Sequence, residues 1–330
     1  MIRPIVTLCA LLAAAPVTHA ASREVAGVWT AAVSEKRTDR LQFSLQTAKH
    51  GQNGTSFDRS EFSGLAAAQV GSSARIPVQF ELRREAGTIV FEGTFRAGKG
   101  AGEFKFVPNR DFPRKLEALG VQFVDKGGEG VERGLFALAI FDVTTDFIRS
   151  LQAIGYSVPL EKYEAFRIFD VDPEYVHDMA AVGFAHLSAD KLVETRIHGA
   201  SPEYIREMRA AGNDLTLDEY IQSRIFQVTP EFAEEMSRAG YPDMDHDTLV
   251  QFRIHGVTPE FVRDLRELGY TRLPAEKLVE MRIHGVTPEF IRRVAAAGYR
   301  KVPIDKLVQM RIFDIEPEMV KALDDASGKD

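Results

Sequence analysis

The 330-residue sequence contains a single cysteine, Cys9, and it lies in a short apolar segment at the N-terminus. The rest of the chain therefore forms no internal disulfide and has no thiol for nucleophilic or metal chemistry. This excludes a small secreted domain held together by disulfides. It also excludes a zinc site built on cysteines.

Long apolar runs and an excess of positive charge are missing as well. After residue 20 no segment approaches the roughly 18 apolar residues that a membrane-spanning helix requires. The 41 Lys and Arg residues are outnumbered by 48 Asp and Glu, for a formal charge of -7. This charge argues against a protein that binds nucleic acid by neutralising phosphates. Hydrophobic residues make up 45% of the chain, enough for a buried core in more than one domain.

Sequence motifs that organise catalysis are also absent. The chain has no HExxH, no GxSxG, no phosphate-binding loop and no GxGxxG. We therefore predict no catalytic residue, no cofactor and no metal ligand, and a protein that is not an enzyme. An unrecognised hydrolase stays open as an alternative, and it would need a nucleophile beside a base in a cleft.

The first twenty residues, MIRPIVTLCALLAAAPVTHA, are typical of a secretory signal peptide. One arginine precedes an apolar run from Ile5 to Val17, and small residues follow it ahead of a cleavage point before Ala21. We therefore expect a periplasmic or secreted protein with no stable membrane insertion after cleavage.

Between Val25 and about Pro108, apolar and polar residues alternate, which is typical of half-buried strands. Such runs are Leu41, Phe43, Leu45; Ile76, Val78, Phe80, Leu82; Ile89, Phe91, Phe95; and Phe104, Phe106. Glycine-containing segments at 85–87 and 97–100 are short enough to close hairpins. Residues 21–110 are therefore predicted to form an antiparallel β domain of about six strands, with Trp29 in its core. Residues 53–55 are interpreted as a turn.

From Phe112 onward the period changes and a repeat of 28 or 29 residues takes over. One column of the aligned repeats is an arginine: Arg167, Arg196, Arg224, Arg253, Arg282 and Arg311. A fixed period of this length indicates a solenoid. A degenerate earlier copy has Ala139 in the arginine position.

Each repeat is predicted to contain two short helices. The first helix begins after a capping residue that precedes proline: Asp172, Ser201, Thr229, Thr258, Thr287 and Glu316. It ends at a glycine: Gly155, Gly183, Gly212, Gly240, Gly269 and Gly298. In one copy, the apolar stripe of the second helix is assigned to Leu278, Val279, Met281 and Ile283. Helices of about ten residues are unstable alone in water. We therefore predict an α+β protein in which residues 111–330 form an α-solenoid of about seven stacked helix pairs.

The arginine column is the strongest polar signal in the chain. Each arginine lies in the last turn of a second helix, and a glutamate such as Glu289 lies in the first turn of the next helix, positions that suit the helix dipole. One interpretation is a structural ladder of Arg–Glu pairs in which Arg282 faces Glu289. The other is a row of arginines that binds an acidic partner. Ala137 and Ala139 replace charged residues in the degenerate copy, which predicts burial of this end against the β domain.

Two further patterns are interpreted as structural. Histidine ends the second helix in three repeats: His198, His255 and His284. Stacked helices lie about 8–10 Å apart, which is too far for nitrogens that each bind one zinc at about 2.1 Å. Residues 243–247 resemble the start of a calcium loop, but Thr248 stands where that loop needs glycine. Asp245 is expected to cap a helix instead.

The segment FELRREAGTIVFEGTFRAGKGAGEFKFVPNRDF and repeats of the form RIHGVTPEFVRDLRELGY together resemble a bacterial exported region. That region occurs in the periplasmic C-terminal parts of some membrane-anchored metallopeptidases related to the beta-lactam-sensing signal transducers, and in free-standing secreted relatives. The resemblance covers roughly residues 25–323. It implies an extracytoplasmic sensing or binding module. The zinc motif and membrane helices of those peptidases are missing here, so no catalytic residue carries over.

Solenoids present long continuous surfaces that suit the binding of another macromolecule. The leading hypothesis is an exported, non-catalytic protein-binding scaffold or sensing module in envelope signalling. The alternative is a carrier whose β domain closes around a small apolar ligand. A large apolar cavity would favour the carrier, and a filled core would favour the scaffold. We expect a protein partner and no nucleic acid, and the sequence leaves the oligomeric state open.

Overall fold

The computed structural model describes residues 25–47, 50–124 and 130–316, together with 318, 319 and 322. The signal-peptide prediction falls on residues 1–20 and lies outside the described residues. Within the described part, no helix is both long and apolar enough to cross a lipid bilayer. By internal contacts the chain divides into two compact units, with the boundary between Ile168 and Phe169. The predicted α+β fold is confirmed, because a sheet precedes a repeated arrangement of helices.

One antiparallel sheet of seven strands lies in the first unit. Its strands are β1 (Ala26–Val33), β2 (Arg40–Thr47), β3 (His50–Asp58), β4 (Phe62–Ser63), β5 (Ile76–Arg84), β6 (Gly87–Arg96) and β7 (Lys99–Pro108). The strand order is β3-β2-β1-β7-β6-β5-β4. The predicted antiparallel β domain is confirmed, and the two-residue β4 is the strand beyond the expected six.

The two predicted hairpins are present. Arg84 pairs with Gly87 between β5 and β6, and Arg96 pairs with Lys99 between β6 and β7. Ala97 and Gly98 both have positive φ, 47° and 78°, as the primed turns that suit twisted strands require. The interpretation of residues 53–55 as a turn was wrong, because they pair with β2 inside β3.

Trp29 is buried at the centre of the sheet's aromatic core, with 1% of its surface exposed. Its indole N–H donates a hydrogen bond to the Glu92 carbonyl at 3.1 Å. Its ring contacts four phenylalanine rings at centroid distances of 5.5–6.1 Å: Phe43, Phe80, Phe91 and Phe95. Gly93 and Gly102 face each other beside it. A Cβ added to Gly102 would lie 1.9 Å from the Glu92 carbonyl oxygen, so the strands approach closely only because glycine is there.

The described part of the first unit also contains five α-helices: α1 (Ala67–Gly71), α2 (Phe112–Glu117), α3 (Val131–Ile140), α4 (Thr145–Ala153) and α5 (Leu160–Ile168). Helix α3, the degenerate copy, packs on β6 and β7. Phe136 of α3 stacks on Phe104 with a centroid distance of 5.6 Å. Ala139 is fully buried and Ala137 is half-buried. The predicted burial of this end against the β domain is confirmed.

The second unit is a series of helix pairs. Its first helices are α6 (Pro173–Ala181), α8 (Pro202–Ala210), α10 (Pro230–Arg238), α12 (Pro259–Glu267) and α14 (Pro288–Ala296). Its second helices are α7 (Ala189–His198), α9 (Leu217–Phe226), α11 (His246–His255), α13 (Ala275–Ile283) and α15 (Ile304–Ile312). Each second helix packs on the next one, from α7 through to α15. The described part of the second unit therefore contains five stacked pairs, and α4 with α5 forms an equivalent pair in the first unit.

The predicted caps position these helices. The side chain of each predicted N-cap before a first helix accepts a hydrogen bond from a backbone N–H in the first turn: Asp172, Ser201, Thr229, Thr258 and Thr287. The glycine ends are also confirmed, as at Gly269, where φ is 90° and the next N–H donates to the Leu265 carbonyl at 2.9 Å. Where a second helix lacks a terminal glycine, Asp170, Gln227 or Asp314 adopts the left-handed conformation instead, with φ of 51–56°.

Candidate functional site

Each arginine of the predicted column lies over an aromatic ring from the first helix of its own pair. The six distances from guanidinium carbon to ring centroid are 3.7 to 5.1 Å, within the range of a cation–π contact. The pairs are Arg167–Phe147, Arg196–Tyr175, Arg224–Tyr204, Arg253–Phe232, Arg282–Phe261 and Arg311–Phe290. Five of these arginines are half-buried and Arg224 is exposed. The column therefore joins the two helices of every pair.

Several of these arginines also bind the end of the preceding second helix. Arg282 Nε donates to the His255 carbonyl at 3.1 Å, and Arg167 Nε donates to the Phe141 carbonyl at 2.9 Å. Arg196 Nη2 donates to the carbonyl of Asp170, in the turn before α6, at 2.5 Å. Carbonyl groups at a helix C-terminus carry partial negative charge and lack partners within the helix. The guanidinium group thus links neighbouring repeats as well as neighbouring helices.

The predicted pairing of Arg282 with Glu289 was wrong. Glu289 instead forms an ion pair with Arg292 of its own helix, at 3.3 Å. Hydrogen bonds from its own backbone N–H, and then from the Thr287 hydroxyl, lower the pKa of Glu289. The Glu289 carboxylate is therefore bonded within the first turn of helix α14, and it forms no ion pair with Arg282 of the preceding helix. The column is therefore built from structural contacts with aromatic rings and carbonyl groups. Carboxylates take part at two positions, where Arg167 pairs with Asp142 at 2.9 Å and Arg311 pairs with Glu316 at 3.2 Å.

This geometry makes a double-mutant test of Arg282 possible. Arg282→Ala is expected to lower the free energy of unfolding by about 1–2 kcal/mol, because it removes one cation–π contact and one charged hydrogen bond. Its coupling with Phe261→Leu should be about 0.5–1 kcal/mol, and its coupling with Glu289→Ala should be near zero. Urea unfolding of the single and double variants measures both couplings. A larger coupling to Glu289 than to Phe261 would restore the Arg–Glu ladder.

An exposed isoleucine follows the arginine in every repeat of the second unit. These residues, here called the isoleucine row, are Ile197, Ile225, Ile254, Ile283 and Ile312, and their exposed fractions are 44% to 56%. Phe313 and Met319 are the other large exposed apolar residues in the described part of that unit. Because the second helices stack directly on one another, the isoleucines recur along the stack at intervals of about 8–10 Å.

The assignment of Ile283 to a buried stripe was therefore wrong. Successive residues of an α-helix are rotated by about 100°, so two positions separate Ile283 from Met281 by about 200°. Met281 faces the core and is fully buried, and Ile283 points to the opposite side. The residue type alone favoured burial. The rotation, together with recurrence in every repeat, is the sequence signal that could have identified this surface.

A line of carboxylates runs on the same face as the isoleucines. These residues, here called the acidic row, are Asp190, Asp218, Asp247, Glu276 and Asp305, and all are exposed. Each precedes its isoleucine by seven residues, or about two helical turns, which returns to the same helix face. Glu194, Gln222, Gln251, Glu280 and Gln309 lie between the two rows. We call the whole surface the second-helix face.

Two lysines connect neighbouring repeats on this face. Lys191 Nζ lies 2.8 Å from Asp218 and 2.6 Å from Glu194. The hydrogen bond to Asp218, and then that to Glu194, raises the pKa of Lys191. Lys277 is placed in the same way, with Nζ 2.6 Å from Asp305, and this carboxylate is the main cause of its raised pKa.

The surface made by the first helices is different. It carries ion pairs within a helix, such as Arg206–Glu203 at 3.4 Å and Arg292–Glu289 at 3.3 Å. Charges of both signs alternate there, and none of the large exposed apolar residues lies on α6, α8, α10, α12 or α14. Such a surface is typical of a solvated helix face. Within the second unit, the second-helix face is thus the candidate site.

Neither metal hypothesis gains support from the described residues. They contain no group of three or more His, Cys, Asp or Glu residues that could hold an ion. The Asp245 side chain accepts a hydrogen bond from the Thr248 N–H and caps α11, as predicted. The hydrogen bonds from Thr248 lower the pKa of Asp245.

A serine–histidine pair bears on the hydrolase alternative. Ser223 Oγ lies 2.9 Å from His246 Nε2, beside a cavity of about 120 Å³. The other ring nitrogen, Nδ1, is buried and has no hydrogen-bond partner in the described part of the chain, so no third group orients the imidazole as a catalytic triad requires. Ser223 itself is only 2% exposed.

A pattern between repeats explains the buried serine. Ser223 occupies the position of Thr195 in the preceding repeat, where the Thr195 hydroxyl lies 2.8 Å from the Tyr175 hydroxyl. In the later repeats a phenylalanine replaces this tyrosine, and Phe252 or Met281 replaces the hydroxyl residue. A hydroxyl thus appears in the two repeats whose first helix carries a tyrosine, Tyr175 or Tyr204, where it can bond to the tyrosine hydroxyl. This favours a structural role for Ser223.

The β domain shows little room for an apolar ligand. Its rings pack against one another around Trp29, and Phe80 and Phe91 stack with a centroid distance of 4.8 Å. A depression of about 570 Å³ lies on β1, β2, β3 and β7, but it is open, and its lining mixes polar residues such as Gln42 and Lys99 with apolar ones such as Phe43. An interior occupied by side chains favours the scaffold over the carrier.

No protein-family model matches the chain, and no curated protein or solved structure shows significant similarity to it.

Proposed function

We propose that the protein is an exported, non-catalytic scaffold that binds another polypeptide through its second-helix face. The observation that carries the proposal is the isoleucine row. Five large apolar side chains recur, one in each repeat, on a solvent-facing line of stacked helices. Large exposed apolar residues that recur on one face, beside polar residues, are typical of an interaction site.

The first copy of the repeat supports this assignment. Ile140 occupies the equivalent position in α3, a helix that packs on β6 and β7, and it is buried, with 5% exposed. The position of the isoleucine row is thus buried in α3, where the sheet covers the helix. In the later repeats the same position is free to be covered by a partner.

The extracytoplasmic location rests on the sequence of the first twenty residues. The resemblance to periplasmic sensing regions supports a role in envelope sensing. Sequencing the N-terminus of the exported form tests the location, and an intact Met1 on a cytosolic protein would contradict it.

The binding role can be tested by photo-cross-linking in producing cells. A photoreactive residue at Ile225 is expected to yield polypeptide adducts, and the same residue at Arg263, on the first-helix surface, is not. Adding Ile254→Ser and Ile283→Ser should reduce the Ile225 adduct about tenfold or more, because each half-exposed isoleucine contributes about 1 kcal/mol on burial. Mass spectrometry measures the adducts.

The matched control is Arg263→Ser with Glu267→Ser, which changes two exposed residues of α12 and leaves the net charge unaltered. This control should keep the adduct, and both double variants should stay folded, with unfolding temperatures within a few degrees of wild type, because the sites are about half-exposed or more. Equal adducts from both surfaces, or an adduct that is insensitive to the isoleucines, would contradict the proposed function.

A further inference from the structure

The isoleucine row alone is a weak binding surface. The free energy gained by burying five half-exposed isoleucines is largely offset by the loss of translational and rotational freedom on binding. A partner must therefore find further contacts beside the row. The adjacent groups on the same face are the carboxylates of the acidic row and the amides that lie between the two rows.

We propose that the occupant of the second-helix face is a cationic, apolar polypeptide segment. Its apolar side chains lie on the isoleucine row, and its Lys or Arg side chains reach the acidic row. The inference rests on the proposed function and specifies the chemistry of the partner.

The two rows are parallel and closely spaced. Seven residues of an α-helix rise about 10 Å, which sets the distance between the rows. Stacked helices lie about 8–10 Å apart, which sets the step along each row. A polyproline-type extended chain advances about 9.3 Å in three residues. If such a chain runs along the stack, every third side chain lies on an isoleucine. Another side chain in each turn can then face the acidic row.

The charges on this face favour a cationic occupant. Lys191 and Lys277 are already engaged by Asp218 and Asp305. Asp247 and Glu276, in the centre of the acidic row, make no ion pair within the described residues. They lie on the same helices as Ile254 and Ile283, so the free carboxylates flank the middle of the apolar line.

The arginines of the column are adjacent to the isoleucines in sequence, but their guanidinium groups are engaged in contacts within the helix pairs. Arg253 and Arg282 sit over the rings of Phe232 and Phe261, at 3.8 and 5.1 Å. Gln222 and Gln251, between the rows, offer amide groups that can bond to the backbone of an extended chain. The face thus supplies apolar, hydrogen-bonding and anionic groups in successive lines.

Like charges disfavour two other occupants. A second copy docked face to face would bring one acidic row against another, and like charges across an interface are costly. An anionic membrane surface would be repelled for the same reason. These occupants become outcomes of the test.

The probes are three synthetic peptides with leucine at every third position, identical except that lysine, glutamine or glutamate fills the position after each leucine. Fluorescence anisotropy measures their binding to the mature chain at low and high salt. We expect the lysine peptide to bind about tenfold or more tightly than the glutamine peptide at low salt, and this advantage should shrink as salt screens the charges. The glutamate peptide should bind most weakly.

Three double variants identify the residues that bind the peptides. Asp247→Asn with Glu276→Gln should weaken the lysine peptide about five- to tenfold, as expected for the loss of two exposed ion pairs, and should leave the glutamine peptide unchanged. Glu235→Gln with Glu267→Gln removes the same charge from the exposed surface of the first helices and should change neither. Ile254→Ser with Ile283→Ser should weaken both peptides.

The outcomes separate the two levels of the proposal. If the glutamine peptide binds as tightly as the lysine peptide and both depend on the isoleucines, the cationic partner is wrong and the scaffold function stands. If no peptide binds, the cationic segment is also overturned, and the cross-link from Ile225 decides the scaffold function separately. If sedimentation shows the protein self-associating through the isoleucines, the occupant is a second copy and the inference fails. Binding to anionic vesicles that depends on these isoleucines would overturn it too.

Discussion

Replacing Trp29 with alanine is expected to lower the free energy of unfolding of the first unit by about 3–5 kcal/mol. The side chain is 1% exposed and contacts four phenylalanine rings. Its loss also removes the hydrogen bond to the Glu92 carbonyl. The strands beneath it already approach as closely as glycine allows at Gly93 and Gly102, so the site cannot collapse to fill the cavity. Urea unfolding followed by far-UV circular dichroism measures the change.

Val28→Ala is the matched control for Trp29. Val28 is the preceding residue of the same strand and is 50% exposed, so its truncation should cost less than about 0.5 kcal/mol. A loss below about 1 kcal/mol for Trp29→Ala would show that the interior tolerates empty space. That result would contradict the filled core and favour the carrier of a small apolar ligand.

Replacing Phe252 with alanine is expected to destabilise the second unit by about 3–5 kcal/mol. Phe252 is fully buried in α11, near the middle of the stack, and belongs to the core shared by the last three helix pairs. Stability in a solenoid is roughly a sum of terms within repeats and between nearest neighbours. A cavity at the centre should therefore weaken the coupling of the two ends, and the unfolding transition should broaden or divide into two.

Ile254→Ala tests whether the loss of stability depends on burial of the side chain rather than on its being large and apolar. Ile254 lies on the same helix, two residues away, with 47% of its surface exposed, and its truncation should cost less than about 1 kcal/mol. Chemical unfolding monitored by circular dichroism compares the two variants. Equal losses would mean that Ile254 is packed in the stack, and this would count against the second-helix face as a free surface.

The local rules that define the helix pairs could be predicted from the sequence. A cap such as Thr287, the proline after it, and a glycine such as Gly298 each act through their own backbone and its nearest neighbours. The fixed spacing of the repeats then required stacking, because single short helices cannot bury a core. The alternation of apolar residues similarly identified the strands and placed Trp29 inside.

The tertiary structure alone decided which partners the polar groups take and which apolar groups remain outside. Arg282 and Glu289 are close in sequence, and the helix dipole favours both positions, yet the guanidinium reaches Phe261 and the end of the preceding second helix. Ile283 was expected inside because it is hydrophobic, and it is exposed. Capping depends on a few adjacent residues and can be inferred from them. Pairing and exposure depend on which side of each helix the neighbouring repeat covers, and stacking determines that side.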